Sequence, residues 1–278
     1  MSGVSPVQSG QAQAAIARAS AATGVDFDYL VAQARLESGL DPNARAGTSS
    51  AAGLYQFIGG TWLETLDRHA GAHGLDWAGA AITRSGGRAT IDDPALRGQI
   101  MALRYDPDVS ALMAAELARD NSAELGGFLG REPDSTELYL AHFLGAAGAR
   151  GFLGALQSTP QASAAALFPK PAEANRAIFF EGGRARSVAD VMDLLRTRVT
   201  AAMQGGAAGP PVSGGYAYSA PSHSFARAAD AFPQAGSPAR RVSMAETLQA
   251  TFGGSDTLGS RAAQRVDEAY GKFRTFGL

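Results

Sequence analysis

The amino-acid sequence predicts a mainly α-helical domain followed by a low-complexity carboxyl-terminal tail. Apolar residues recur at helical spacing through residues 11–203, and helix-capping residues punctuate that stretch. Alternating strand patterns are scarce. After Met203 the chain reads "QGGAAGPPVSGGYAYSAPSHSFA". Ordering such a Gly-, Ala-, Pro- and Ser-rich segment costs chain entropy and buries little apolar surface, so it is expected to act as a flexible tether. The chain therefore divides into a domain, residues 1–204, and a tail, residues 205–278.

The elements follow in order. Residues Gln11 to Ala22 form a first helix. Asp26 caps a second, which runs to about Ser38 and can end on Gly39. Between Asn43 and Phe57 there is room for at most a short hairpin. Thr61-x-x-Glu64 has the form of a capping box and predicts a helix beginning at Trp62. Another helix covers Pro107 to Ala118. Asp134-x-x-Glu137 is a second capping box, placed before "LYLAHFLGAAGAR". Ser187 introduces a last long helix, Val188 to Met203, whose apolar positions are Val188, Val191, Leu194, Leu195 and Val199. In the tail, Met244–Thr251 and Ser260–Phe273 have helical patterns too short to be stable alone. They are expected to be either docking segments that order on a protein partner or part of a poorly ordered tail. The segment "SRAAQRVDEAYGKFR" is amphipathic but of mixed charge, unlike a membrane-surface helix.

Composition narrows the function. The chain has 278 residues, 45% of them hydrophobic and 18% charged, with a net charge of −2. That is enough for one substantial core and provides no basic field for nucleic acid. The absence of cysteine removes disulfides, thiol catalysis and cysteine metal sites. No apolar run approaches the roughly eighteen residues of a membrane span, and "MSGVSPVQSGQAQAAIARAS" lacks the basic start and apolar stretch of a secretory signal. Phosphate-loop and dinucleotide-binding glycine patterns are absent. His69-x-x-x-His73 has the spacing of two metal ligands on one helix turn, but without the adjoining Glu or a third ligand it reads as a solvated helix face.

One carboxylate stands out in "AQARLESGLDP", residues 32–42. At about 100° per residue, Phe27, Leu30 and Ala34 share a helix face, and Glu37, seven positions after Leu30, falls within about 20° of it. The acid projects from the apolar side near the helix end. Burial and the negative end of the helix dipole both disfavour the ionised form. A carboxyl that keeps its proton suits general acid catalysis. The alternative is a structural glutamate bonded to Arg35 or Arg45. Downstream, the small residues 44–53 let a backbone pass close to a ligand or another chain. Leu54, Tyr55, Gln56 and Phe57 then supply apolar surface, a phenol and an amide, a mixture found in sugar sites.

Glu37-Ser38 followed by Gly53-Leu54-Tyr55-Gln56 resembles the Glu-Ser and Gly-Leu-Met-Gln motifs of soluble-type lytic transglycosylases. "LRYDPDVSALMAAEL" is similar to that family's Asp-Pro-x-x-Asn-Ile segment, and "LAHFLGAAGA" occupies the place of its Ala-Tyr-Asn-Ala-Gly motif. The resemblance runs from about Gln11 to Gly151, weakens through Met203 and does not cover the tail. It implies a lysozyme-like helical domain, related to goose-type lysozyme, that cuts peptidoglycan without metal or cofactor. Glu37 would be the acid and then the base. Ser38 and Gln56 would position the substrate, and Gly53, Tyr55, Phe57, Tyr139 and His142 would line the cleft. The sequence departs from the family at Tyr55, where the family has Met, and at His142-Phe143, where it has Tyr-Asn. The family's Tyr orients the acid, a role left here to His142 or to Tyr139 on the same helix face.

Of the remaining acids, Asp41, Asp92 and Asp93 are candidates for a second carboxylate by type only. The expected partner is the peptidoglycan glycan strand. The expected location is the periplasm or cell envelope, reached by a dedicated apparatus or a phage, where local cleavage would make room for an envelope machine. A water-using muramidase and a non-catalytic glycan-binding assembly protein are the alternatives.

Overall fold

A computed structural model describes residues 6–47 and 49–205. The predicted tether and both tail helices lie outside these residues. The described chain is mainly helical. Helices α1 (Pro6–Thr23) and α2 (Phe27–Ser38) are followed by α3 (Gly59–His69), a 3₁₀ turn (Ala70–His73) and α4 (Asp76–Ala80). A hairpin of β1 (Thr83–Ser85) and β2 (Arg88–Thr90) precedes α5 (Pro94–Ala102). The long helices α6 (Pro107–Leu129) and α7 (Ser135–Ser158) come next. Short turns α8 (Ala164–Leu167), α9 (Pro169–Ala174) and α10 (Arg176–Phe179), with the pair β3 (Phe180–Glu181) and β4 (Arg184–Ala185), lead to α11 (Val188–Met203).

Helix α2 is the centre of the core. It packs against α1, α6 and α11, and α11 also lies along α7. Its buried residues are Tyr29, Leu30, Val31, Ala32, Gln33, Ala34, Leu36 and Glu37, while Phe27 and Asp28 are exposed and Arg35 and Ser38 are half-buried. Leu30, Ala34 and Glu37 are buried on the face expected from the sequence, and Phe27 departs from it at 38% exposed. Arg35 fastens α11 to this helix, its Nη1 donating to the Ala202 carbonyl at 2.6 Å.

Local capping chemistry explains most helix ends. Asp26 accepts from the Tyr29 N–H at 2.7 Å, and Gly39, at φ 65°, ends α2 in the left-handed conformation that glycine adopts cheaply. Asp134 with Glu137, and Ser187 with Asp190, form reciprocal capping boxes. The Thr61–Glu64 box does not form. Helix α3 begins earlier, at Gly59, whose N–H is taken by the Ser50 hydroxyl at 3.3 Å, so Thr61 lies inside the helix. Helix α1 also begins earlier than expected, α6 continues to Leu129, and α7 continues past a break at Gly145 (φ 73°, ψ 157°).

Residues 43–57 form isolated bridges, Arg45 to Ala52 and Ala52 to Phe57, instead of a hairpin with regular strands. The true hairpins turn on Gly86-Gly87 and Gly182-Gly183, all with positive φ, as the tight turn between antiparallel strands requires.

His69 and His73 do not form a solvated face. His73 Nε2 lies 2.6 Å from Glu116 Oε1, and His69 Nε2 lies 2.9 Å from Asp120 Oδ2. Arg68 and Arg119 complete this polar staple between α3, its 3₁₀ extension and α6. No group of three or more His, Asp or Glu side chains among the described residues is arranged to hold a metal. Among the same residues, no helix is long and apolar enough to cross a membrane.

Candidate active site

The end of α2 fixes Glu37. Gly39 and Leu40 both take positive φ, which turns the chain sharply out of the helix. The Ser38 hydroxyl accepts from the Asp41 N–H at 3.1 Å and has its own proton directed to the Leu54 carbonyl at 2.7 Å, with the Ala34 carbonyl 3.1 Å away. Ser38 thus ties the helix end to the following loop, and the substrate-positioning role expected of it has no free proton to use.

That loop is held by backbone chemistry. Gly53 has φ 78°, and a Cβ there would lie 1.8 Å from the Arg104 carbonyl oxygen, so only glycine fits. Gln56, itself at φ 47°, donates from Nε2 to the Gly53 and Ala44 carbonyls at 2.9 and 3.2 Å. Arg104 donates to the carbonyls of Ser50, Phe57 and Met101 at 2.6, 3.0 and 3.0 Å. Burial pulls this guanidinium below its ordinary value.

Tyr55 and Phe57 are placed differently from the expectation of a cleft wall. Tyr55 is 0% exposed, and its hydroxyl donates to the Leu30 carbonyl at 3.1 Å. Phe57 packs edge-on against Trp62, with ring centroids 5.1 Å apart. Apolar burial outweighs any surface role for both rings. Gly53, Gln56 and Ser38 shape the loop, and Tyr55 and Phe57 anchor it to the core.

Helix α7 brings the other groups. Its capping box and the Arg131–Glu137 pair, at 2.7 Å, fix its first turn. Tyr139 and His142, one turn apart, then face Glu37. The Tyr139 hydroxyl donates to Glu37 Oε1 at 3.0 Å. His142 Nε2 stands 3.3 Å from the same oxygen but out of line for a hydrogen bond. Neither His142 ring nitrogen has a hydrogen-bond partner, and neither does Glu37 Oε2. The choice left open by the sequence is thereby resolved in geometry: Tyr139 makes the bond to the acid, and His142 stands beside it.

Neither arginine considered from the sequence pairs with the carboxyl. Arg35 is taken by Ala202, and Arg45 stacks over Tyr105 at 4.9 Å, which removes the structural ion pair considered from sequence. Burial, joined by the charge of Glu37, pushes the Tyr139 and Tyr29 phenols far above their ordinary value. Both therefore remain protonated donors. Asp93 is occupied in capping α5, and Asp41 accepts from the Asn43 N–H at 2.8 Å. Asp92 is exposed at the surface.

The site thus combines one buried carboxyl, one oxygen of which is held by a phenol while the other is unengaged, with an imidazole in reach. Such a group can give and recover a proton in a dry environment. Sequence reasoning missed Tyr29, Gln33 and Arg104. Tyr29, Gln33 and Glu37 stand at four-residue intervals, a polar stripe that was visible in the chain itself. No family model matches the chain.

Proposed function

We propose that this chain is a peptidoglycan lytic transglycosylase with a lysozyme-like domain, cleaving the β-1,4 bond between N-acetylmuramic acid and N-acetylglucosamine. The observation that carries this reading is the asymmetric hold on Glu37: Tyr139 bonds Oε1, and Oε2 has no partner. In the proposed reaction Glu37 passes a proton to the glycosidic oxygen as the bond from that oxygen to the muramic anomeric carbon breaks. The substrate's acetamido oxygen assists at that carbon. The carboxylate then takes the proton of the muramic 6-hydroxyl, whose oxygen bonds to the anomeric carbon and closes a 1,6-anhydro ring. The proton count of Glu37 is restored and no water is consumed. Tyr139 holds the carboxyl in one orientation through both halves and stabilises its ionised stage. The resemblance at residues 37–38, 53–56 and 141–145 supports the substrate class, and the envelope is the compartment in which that substrate is met.

One observation favours a second reading. The Glu37 side chain is 2% exposed, so a glycan reaches Oε2 only when covering residues move. A non-catalytic glycan-binding or assembly domain needs no such movement. Mass analysis of products from purified peptidoglycan, with wild type and Glu37→Gln, tests all readings. Anhydro ends lost in the variant support the lyase. Reducing ends, heavier by one water, mean a muramidase. No cleavage by wild type, with glycan binding retained, means the non-catalytic domain.

A further inference from the structure

His142 is a buried imidazole that no hydrogen bond of the fold employs. It is 6% exposed, and neither ring nitrogen has a hydrogen-bond partner. A polar ring left unpaired away from water is costly, so its immediate neighbour bears on what it is kept for. That neighbour is Glu37. Nε2 stands 3.3 Å from Oε1, a separation at which direction, and not distance, prevents a hydrogen bond. Tyr139 and His142 are three positions apart on α7 and so reach the carboxyl from the same helix face.

The chemistry of the neighbour decides which form of the ring fits. Oε1 already accepts from the Tyr139 hydroxyl at 3.0 Å, and a carboxylate oxygen has room for a second donor. A bare Nε2 would turn its lone pair toward an oxygen that presents lone pairs. A protonated Nε2 would be drawn to it. No hydrogen bond holds the ring at its present angle, and rotation about its terminal bond is soft. The nearest aromatic ring is that of Tyr139, tilted by 37° with centroids 6.0 Å apart.

We propose that His142 is a second positioning residue for Glu37: Nε2 carries a proton and, after a turn of the ring, donates a hydrogen bond to Oε1 beside the Tyr139 hydroxyl. The pull on the ring grows with negative charge on that oxygen, because a hydrogen bond to a carboxylate is stronger than one to a neutral group. Two donors on Oε1 hold the ionised carboxylate and leave Oε2 as the oxygen that meets the substrate. In the reaction proposed above, this favours the stage at which Glu37 has given up its proton. That consequence rests on the reading of Glu37 as the reacting acid, whereas the contact itself does not.

The test has two readouts. Long-range proton–nitrogen NMR of the full chain, with isotope-labelled histidine, tells a ring protonated on Nε2 from one protonated on Nδ1 or on both. The chain has four histidines, and the His142 signal is the one lost in His142→Gln. A proton on Nε2 is expected, with an Nε2 resonance that moves in Glu37→Gln. A bare Nε2, the pattern of a ring that accepts from the acid, overturns the proposal. So does an Nε2 resonance unmoved in Glu37→Gln. The second readout is the rate of glycan cleavage. Phenylalanine keeps the bulk of the ring and removes the donor, while glutamine places an amide nitrogen near the position of Nε2. His142→Phe is expected to cut roughly tenfold more slowly than wild type, and His142→Gln to recover most of that loss. A His142→Gln no faster than His142→Phe overturns the positioning role. Should His142→Phe not fold, His142→Leu is read in the same way. A wild type that cuts no glycan, with the Nε2 proton and its response to Glu37→Gln intact, rejects the enzyme reading and keeps the contact.

Discussion

Tyr139 and Glu37, 102 positions apart in the chain, meet through a 3.0 Å hydrogen bond inside the helical core. The bond links the last turn of α2 to the first half of α7 and gives the buried carboxyl one fixed oxygen and one free one. Burial also keeps the phenol protonated, so it remains a donor whichever charge the acid carries.

Replacing Tyr139 by Phe removes only that hydroxyl. A hydrogen bond to a charged group contributes about 1.5–3 kcal/mol, so the rate of glycan cleavage should fall roughly ten- to a hundredfold. Turbidity clearing of purified peptidoglycan reads the rate, and a rate equal to wild type would separate Tyr139 from the chemistry.

Gly53→Ala should be among the most damaging single changes. The added carbon would stand 1.8 Å from a backbone oxygen at a positive φ, and neither the backbone nor Arg104 can yield cheaply. A loss of about 3 kcal/mol or more in stability is expected. A thermal melt unchanged from wild type would show that the approach of residues 53 and 104 is not required.

Arg104→Met keeps the length of the side chain and removes the donors to three loop carbonyls. Leaving those carbonyls unpaired should cost about 2–4 kcal/mol, seen as a lower urea midpoint, with protease cutting first in residues 44–57. Cutting elsewhere first would mean that the loop is held by Gln56 and Ser38 alone.

Acid stability should depend on Glu137. Its hydrogen bond to Arg131 holds the carboxyl below the ordinary glutamate value. A depressed carboxyl contributes stability that is full above its unfolded value, near 4.5, and lost as pH falls through the lower folded value. Chemical denaturation of wild type should therefore weaken below that point, and Glu137→Gln should be less stable at neutral pH with a shallower acid decline. Parallel pH curves for the two proteins would contradict this.

Several features were legible in the sequence because their causes lie within a helical turn. Asp26 and Gly39 bound α2, Asp134 and Glu137 start α7, and Ser187 starts α11, all by contacts a few residues apart. The two Gly-Gly turns were equally local and could have been read from "TRSGGRAT" and "FEGGRA". The Thr61 box failed because a loop residue, Ser50, reached the helix end from nine positions before Gly59.

The sequence by itself determined a helical domain, both ends of α2, the starts of α6, α7 and α11 and an acid near the end of one helix, since backbone propensity and capping act over a few residues. Only the tertiary structure decided that α2 packs against α1, α6 and α11, that Tyr139 and not His142 bonds the acid, and that Tyr55 and Phe57 turn into the core. Those outcomes depend on contacts between separate elements: Tyr55 with α2, Phe57 with α3, and Tyr139 of α7 with Glu37. Such contacts leave no periodic trace in the chain.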